Sequence, residues 1–250
     1  MIKKQILSNE RVSQDEIHES YQGVVPELAA RNHAYQIDRI TKKALKKADL
    51  SLNNIDVIAA TAGPGLIGGL LVGLSFAKTL AQVKNLPFIA VNHLEGHALT
   101  VRLISEIKFP YLVLLISGGH SNFYFLKNIN DYVFIGGTLD DAVGEAFDKV
   151  GKVLGLKFPG GPELEKKALK GNEKAFIFPK PLLKKEDTDV NLSFSGLKSH
   201  IVKLVNNNKS NLLSENFIED ISASFQNTIS DILVNKLKRA INYCNKKFPT

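Results

Sequence analysis

Two histidines four residues apart are the side chains of this chain best suited to holding a metal ion. His93 and His97 occur in the stretch Val91-Asn92-His93-Leu94-Glu95-Gly96-His97. If the stretch is helical, the two residues share a face with Cβ atoms about 6 Å apart, and two neutral imidazoles can then take adjacent positions on one ion. The same spacing also occurs in pairs of solvated histidines, so the pair alone leaves both readings open.

The residue after the first histidine argues against a zinc protease. That motif places a glutamate there, where its carboxylate can act on the metal-bound water. Leu94 occupies the position here, and Glu95 points elsewhere on the predicted helix. The histidines therefore predict a metal without predicting a peptidase.

A glycine-rich loop follows a predicted strand in the first half of the chain. Residues 55–60 are β-branched and apolar, residues 61–69 form the loop, and residues 70–83 have a helical pattern. A strand, a glycine loop and a helix in this order can bring backbone N–H groups to an anion. The alternative is tight packing of strand against helix, which Gly68, Gly69 and Gly73 suit better.

A second glycine turn joins two further predicted strands. The apolar run 111–116 leads into Ser117-Gly118-Gly119-His120 and then into the strand 121–126, a pattern typical of a hairpin. The unbroken apolar run predicts burial on both faces. The glycines allow a ligand to approach the backbone, and their N–H groups could form a phosphate nest; a hairpin without a ligand fits the pattern equally well.

Four carboxylates occur in one segment of the second half, on or near an amphipathic helical pattern. They are Asp140, Asp141, Glu145 and Asp148. One of them could bind a nucleotide hydroxyl or orient a metal-linked water, but a solvated acidic face is the interpretation favoured for most. Further on, Pro159-Gly160-Gly161-Pro162 predicts a tight turn that opens a helix, with acidic residues in its first turn that suit the helix dipole.

The composition limits the function classes without choosing one. The 250 residues are 44% hydrophobic and carry a net charge of +7, which fits an anionic partner such as RNA or simply a basic surface. The single cysteine, Cys244, excludes an intrachain disulfide and favours the cytoplasm. No signal peptide is evident, and the longest apolar run, 63–74, is too short and too rich in glycine to span a membrane.

The order of the predicted elements indicates an α/β protein with two lobes around a cleft. The expected boundaries are residues 1–107 for the first lobe and 108–250 for the second. Further helices are predicted in the last third, at 164–169, 194–205 and 215–245.

Six motifs occur in the order typical of one protein family. They are Gly63-Pro64-Gly65-Leu66, Asn92-His93-Leu94-Glu95-Gly96-His97, Leu115-Ile116-Ser117-Gly118-Gly119-His120, Asp140-Asp141-Ala142-Val143-Gly144-Glu145-Ala146-Phe147-Asp148-Lys149, Phe158-Pro159-Gly160-Gly161-Pro162 and Phe194-Ser195-Gly196-Leu197-Lys198. Together they resemble the TsaD/Gcp family of tRNA threonylcarbamoyladenosine transferases, formerly described as O-sialoglycoprotein endopeptidases. The segment 22–31 is similar to the family's early segment, so the resemblance covers nearly the whole chain.

The resemblance implies an actin-like ATPase (ASKHA) fold, with two lobes that contain mixed sheets and a nucleotide cleft. It implies transfer of a threonylcarbamoyl group from threonylcarbamoyl-adenylate to the N6 amine of the adenosine beside the tRNA anticodon. His93 and His97 resemble the family's metal ligands, with iron(II) favoured and zinc as the alternative. The positions that resemble substrate contacts are Leu115, Ile116, Ser117, Gly118, Gly119, Asp148, Gly161 and Glu165. A TsaB-like paralogue and a TsaE-like ATPase are the partners that it implies.

The chain departs from the family pattern at both ends. The family's first strand with its phosphate turn, its Gly-Gly adenosine loop and its late metal-binding aspartate have no counterpart in the sequence. The expectation is therefore a chain truncated at both ends, with weak activity or none. A metal-dependent endopeptidase and a non-catalytic actin-like scaffold stay as alternatives.

Overall fold

The computed structural model describes residues 5–21, 23–184, 189–207 and 214–249. The chain divides into two compact units, with the division between Ile107 and Lys108. Each unit combines helices with a small sheet, so the protein is of the α/β kind. The sheet of the first unit is parallel and that of the second is antiparallel.

The first unit is built around a parallel strand pair joined by a helix. Its elements are α1 (Asp15–Glu19), α2 (Pro26–Lys47), β1 (Ile58–Gly63), α3 (Ile67–Lys84), β2 (Phe88–Asn92) and α4 (His93–Ile104). A parallel pair needs a long crossover, and α3 provides it between β1 and β2. Asn85, in the left-handed region at φ 51°, ends α3.

Strand β1 begins three residues later than the sequence pattern predicts. Its pairing with β2 starts where Ile58 meets Phe88. Before it, a short 3₁₀ turn at Leu52–Asn54 is closed by reciprocal bonds between Ser51 and Asn54. Residues 55–57, which follow this turn, come before the first pair of the β1–β2 ladder.

The second unit places a three-stranded sheet against four helices. Its elements are β3 (Tyr111–Ile116), β4 (Ser121–Asn128), β5 (Asp131–Gly137), α5 (Val143–Val153), α6 (Gly160–Ala168), α7 (Ser195–Asn207) and α8 (Glu215–Lys247). The strand order is β3-β4-β5, and both pairings are antiparallel. Beyond β5, Thr138 forms a short parallel bridge with Leu192, which brings the segment before α7 to the sheet.

The prediction that the apolar run of β3 is buried on both faces is wrong. Only Leu115 is fully buried, at 6% exposure, while Ile116 is 46% exposed. Among the described residues β3 pairs only with β4 and lies at the sheet edge, where part of its surface stays open to solvent.

The best-packed core lies in the second unit. Side chains from β4, α5, α6, α7, α8 and the segment before α7 meet there, and the largest apolar ones with no exposed surface are Phe123, Phe194, Phe225, Leu164, Leu192, Leu197, Ile201, Ile221 and Ile232. Each large apolar side chain buried in this way contributes about 1.5–3 kcal/mol to folding. In the described part of the first unit, by contrast, the fully buried apolar side chains are alanines of α3 and α4. No described helix is long and apolar enough to cross a membrane.

Candidate functional site

The histidine pair opens helix α4, directly after strand β2. Asn92 caps the helix because its Oδ1 accepts hydrogen bonds from the N–H groups of Leu94 (2.9 Å) and Glu95 (3.2 Å). This cap fixes the first turn, so His93 and His97 lie on one face with ring centroids 4.5 Å apart at 75°. The prediction of a helix with both rings on one side is confirmed. His93 is half-buried and His97 is exposed.

The pair supplies two imidazoles to a metal, and the described residues add no third ligand. Among residues 5–21, 23–184, 189–207 and 214–249, no group of three or more His, Cys, Asp or Glu side chains could hold an ion. The rings are close enough that they would supply two ligands to one ion.

His93 also lines a cavity of about 490 Å³ within the first unit. The glycine-rich loop between β1 and α3 forms another wall, through Pro64 and Gly65, and His33 of α2 forms a third. His33 was not among the predicted site residues, because nothing in its local sequence distinguishes it from a surface histidine. Its Nδ1 lies 2.7 Å from the amide nitrogen of Gln14.

Two glycines in the first turn of α3 pack this helix against another helix rather than against a strand. A Cβ added to Gly68 would lie 3.2 Å from the Cβ of Ala30, and one added to Gly69 would lie 3.4 Å from the His33 ring. The predicted strand–helix packing is therefore wrong for these two positions. They let α3 approach α2, which brings His33 to the cavity.

The Ser117–His120 turn forms the tip of the predicted hairpin. The N–H of Ser117 donates to the carbonyl of His120 (2.8 Å), and the N–H of His120 donates to Oγ of Ser117 (3.0 Å). Gly118 and Gly119 lie between these bonds and are exposed, and a Cβ on either would meet no atom within 4 Å. Neither has a positive φ. Within the described structure, therefore, neither packing nor backbone conformation requires glycine at these two positions. Glycine would instead allow a ligand to approach the backbone closely, which supports a binding role for the turn.

The first turn of helix α5 is hydrogen-bonded to this turn. The N–H of Gly144 donates to the carbonyl of Ser117 (3.3 Å), and the N–H of Val143 donates to the buried hydroxyl of Ser121 (2.8 Å). A Cβ on Gly144 would lie 2.8 Å from the Cα of Gly118. The first turn of α5 thus fixes the position of the glycine turn.

Two residues of the acidic segment before α5, Asp140 and Asp141, make specific contacts with distant parts of the chain. The carboxylate of Asp140 accepts bonds from the hydroxyls of Ser193 (2.6 Å) and Ser195 (2.7 Å) and from the N–H of Phe194 (2.8 Å). Asp141 pairs with Lys149 at 2.7 Å and Lys198 at 3.2 Å. The interpretation from sequence was therefore wrong for both aspartates. Ser195 and Lys198, which it missed, belong to the Phe194–Lys198 motif.

Asp148 links α5 to the start of α6. Its Oδ1 accepts the N–H of Gly160 at 2.8 Å, and α6 begins at Gly160, four residues before the predicted helix at 164–169. A Cβ on Gly160 would lie 2.9 Å from the Cα of Asp148, so the two helices touch through their backbones. Gly161 has open space around it, with the nearest atom 4.0 Å away, and Glu165 is exposed.

A family model described as TsaD, tRNA N6-adenosine threonylcarbamoyltransferase, matches residues 5–248. This chain belongs to the TsaD family. A protein of the same name from Rickettsia bellii is 51% identical over 238 residues, covering 95% of this chain and 69% of the relative. One from Brucella anthropi is 50% identical over 244 residues (98% and 67%), and one from Rickettsia prowazekii is 50% identical over 239 residues (96% and 61%). The chain thus spans about two thirds of the length of these relatives.

We expect acid to loosen the connection between the segment before α5 and the start of α7 in this TsaD family member. Burial acts to raise the pKa of Asp140, but the bonds from Phe194, Ser193 and Ser195 outweigh it and hold the pKa below its usual range. The stabilisation is therefore complete above the unfolded pKa of about 4 and is lost as the pH falls through the lower folded value. Thermal melts between pH 7 and pH 2 should show a decline that begins only below about pH 4.

The matched variants are Asp140→Asn and Asp131→Asn. The first removes the charge that accepts these bonds, so it should lower the melting temperature at pH 7 and reduce the further loss in acid. Asp131 is an exposed carboxylate at the start of β5, and its replacement should leave the profile as in the wild type. Identical pH profiles for wild type and Asp140→Asn would contradict the assignment.

Proposed function

We propose that this chain transfers the threonylcarbamoyl group from threonylcarbamoyl-adenylate to the N6 amine of the adenosine beside the anticodon of tRNA. The observation that carries the proposal is the match to TsaD over residues 5–248, with relatives of that name about 50% identical. The histidine pair on α4 and the open glycine turn after β3 are the features that support it at the level of chemistry.

The glycine turn would receive the phosphate of the adenylate. Gly118 and Gly119 allow the ligand to approach the backbone, where amide N–H groups are suitable donors for phosphate oxygens. Leu115 is buried and would contribute only through its backbone, whereas Ile116 and Ser117 lie closer to the exposed tip. Glu165 and the open position at Gly161 extend the proposed binding surface along the first turns of α6.

The transfer itself is an acyl substitution. The N6 amine of adenosine attacks the carbonyl carbon of the mixed anhydride, a C–N bond forms, the C–O bond to the phosphate breaks, AMP leaves and the amine loses a proton. A neutral aromatic amine is a weak nucleophile, so orientation of the two substrates must supply much of the rate. Asp148 has one carboxylate oxygen committed to Gly160, and its other oxygen could accept from a substrate hydroxyl.

His93 and His97 fit a divalent metal ion by their donor type and by their position on one helix face. Iron(II) is our first choice and zinc the alternative, since imidazole binds both. When bound, the ion would supply Lewis-acid stabilisation of negative charge on a substrate oxygen.

The proposals for the fold, the partners and the cellular location rest on membership of the TsaD family. We propose an actin-like ATPase fold, a TsaB-like paralogue and a TsaE-like ATPase as helper proteins, and the cytoplasm as the site of action. The apolar surface at the start of α3 supports a protein partner, because Ile67 and Leu71 share a helix face and are 82% and 59% exposed.

Gly118→Ala tests the role of the glycine turn. The added methyl group meets no atom within 4 Å, so stability should change by less than about 0.5 kcal/mol. A methyl group at this position would nevertheless hold a phosphate away from the backbone, and we expect transfer to fall by about tenfold or more, equivalent to about 1.4 kcal/mol. The measurement is threonylcarbamoyl transfer to an unmodified tRNA transcript with helper proteins present, alongside a thermal melt.

Gly23→Ala is the matched control, since that glycine also has open space around it and belongs to the other unit. It should leave both transfer and stability unchanged. If the wild type transfers the group and Gly118→Ala transfers it at the same rate, the turn is not part of the substrate site. No transfer by the wild type under any of these conditions would contradict the proposed function.

A further inference from the structure

The cavity beside the glycine-rich loop of the first unit is lined mainly by apolar groups. Pro64, Leu66 and Leu70 belong to these apolar walls, and Leu66 is 58% exposed. His33 and His93 add two imidazole rings to the lining. The volume of about 490 Å³ falls within the range of small-ligand sites, about 300–1,000 Å³. The cavity is therefore suited to a flat ligand with apolar faces and a few polar atoms at its edge.

The ring of His33 has a defined orientation at the wall of this cavity. Its Nδ1 lies 2.7 Å from the amide nitrogen of Gln14. An amide nitrogen only donates, so Nδ1 accepts, and the proton of the neutral ring is on Nε2. A Cβ added to Gly69 would lie 3.4 Å from Nε2 and from Cδ2. Because Gly69 also lines the cavity, the ring edge with the N–H donor lies at the cavity wall.

The described residues that line this cavity include no lysine, arginine, aspartate or glutamate. An anion bound there would gain no charged partner from these side chains, whereas a neutral ligand needs none. The two substrates of the proposed reaction differ in this respect, because the adenylate donor carries a phosphate and a carboxylate while the target adenine of tRNA is neutral. The lining thus fits the target adenine better than the donor, whose phosphate is assigned above to the glycine turn after β3.

We propose that this cavity receives the target adenine of tRNA and that Nε2–H of His33 donates to N1 of the base. Enzymes that act on a base read its Watson–Crick edge through hydrogen bonds and hold its faces between apolar or aromatic side chains. Adenine presents N1 as an acceptor next to the N6 amine, whereas guanine carries a proton on N1. His33 therefore selects adenine over guanine, and the amine lies in the same cavity as His93. The inference rests on the proposed function, since it names the site for the base that this function modifies.

Base analogues test this hydrogen bond directly. Labelled anticodon stem-loops would carry adenosine, 1-deazaadenosine or 7-deazaadenosine at the target position, and fluorescence anisotropy would measure their binding to the metal-free full chain. The 1-deaza base lacks the acceptor, so its stem-loop should bind the wild type about two- to twelvefold more weakly, the factor that corresponds to one hydrogen bond. The 7-deaza base keeps N1, and its stem-loop should bind as the adenosine stem-loop does.

His33→Ala and Tyr35→Ala are the matched variants. Both residues are exposed on α2, but Tyr35 does not line the cavity. His33→Ala should bind the adenosine and 1-deaza stem-loops equally, because the donor that distinguishes them is gone. Tyr35→Ala should keep the preference of the wild type. Since both side chains are exposed, thermal melts of the two variants should stay close to that of the wild type.

The inference is overturned if the wild type binds all the stem-loops equally, or if the preference for adenosine over 1-deazaadenosine persists in His33→Ala. A loss with the 7-deaza base as large as that with the 1-deaza base would also overturn it, because recognition would then not depend on N1. In each of these cases the stem-loops still bind, so the proposed function stands. If the wild type binds none of the stem-loops, the proposed function fails together with the inference.

Discussion

Replacing His97 with alanine is expected to reduce both the metal content of the protein and its transferase activity. The two rings on α4 lie with centroids 4.5 Å apart, and loss of one leaves a single imidazole to hold the ion. Removing even a group that only supports a metal ligand weakens binding by about 10–100-fold, and removing a ligand should cost at least as much. We expect transfer to fall by a similar factor, because the ion would no longer stabilise developing charge.

The measurement combines metal analysis after anaerobic loading with iron(II) or zinc and the transfer assay on unmodified tRNA. His97 is exposed, so its loss should leave the melting temperature of the metal-free protein almost unchanged. His200→Ala is the control, since His200 is an exposed histidine of α7 in the other unit. Undiminished metal binding in His97→Ala would show that the pair is not a metal site.

Gly144→Ala is expected to cause the largest loss of stability among the substitutions considered. The new Cβ would lie 2.8 Å from the Cα of Gly118 and 2.9 Å from the carbonyl oxygen of Ser117, and neither backbone atom can move alone. Overpacking of this kind costs about 1–3 kcal/mol or more. Since the glycine turn would shift with it, transfer should also fall.

Gly196→Ala is a closely matched control. Gly144 is the second residue of α5, and Gly196 is the second residue of α7 in the same unit. A Cβ on Gly196 would make only an ordinary contact, 3.8 Å from Pro181. Alanine is the better helix former by about 1 kcal/mol, so this variant should be neutral or slightly stabilised. Equal melting temperatures for the two variants would contradict the close contact between α5 and the turn.

The sequence determined the features that depend on neighbouring residues. The pairing of His93 with His97 follows from helix geometry over four residues, and the cap on Asn92 that fixes their turn is equally local. The hairpin with Gly118 and Gly119 at its tip was also predicted correctly. In each case the residue pattern of the segment and its turn residues were sufficient to predict the local structure.

The tertiary structure alone decided the partners of side chains that are far apart in the chain. Asp140 and Asp141 bond to Ser195 and Lys198, which lie more than fifty residues further along the chain. Because these partners are distant, the local sequence predicts only a solvated acidic face. Gly68 and Gly69 serve the approach of α3 to α2, which no local pattern indicates. The burial of β3 likewise depends on which elements cover it.

The charged residues of α8 show the same division. The spacing of Lys236, Arg239 and Lys246 on one helix face could be read from the sequence, but the ion pair that neutralises Asp189 could not. Helical periodicity is set by the backbone within a few residues, whereas the charge that a cavity presents depends on which distant groups pair inside it. For that reason the sequence determined the elements and the histidine pair, and only the folded chain determined how the remaining charges are arranged.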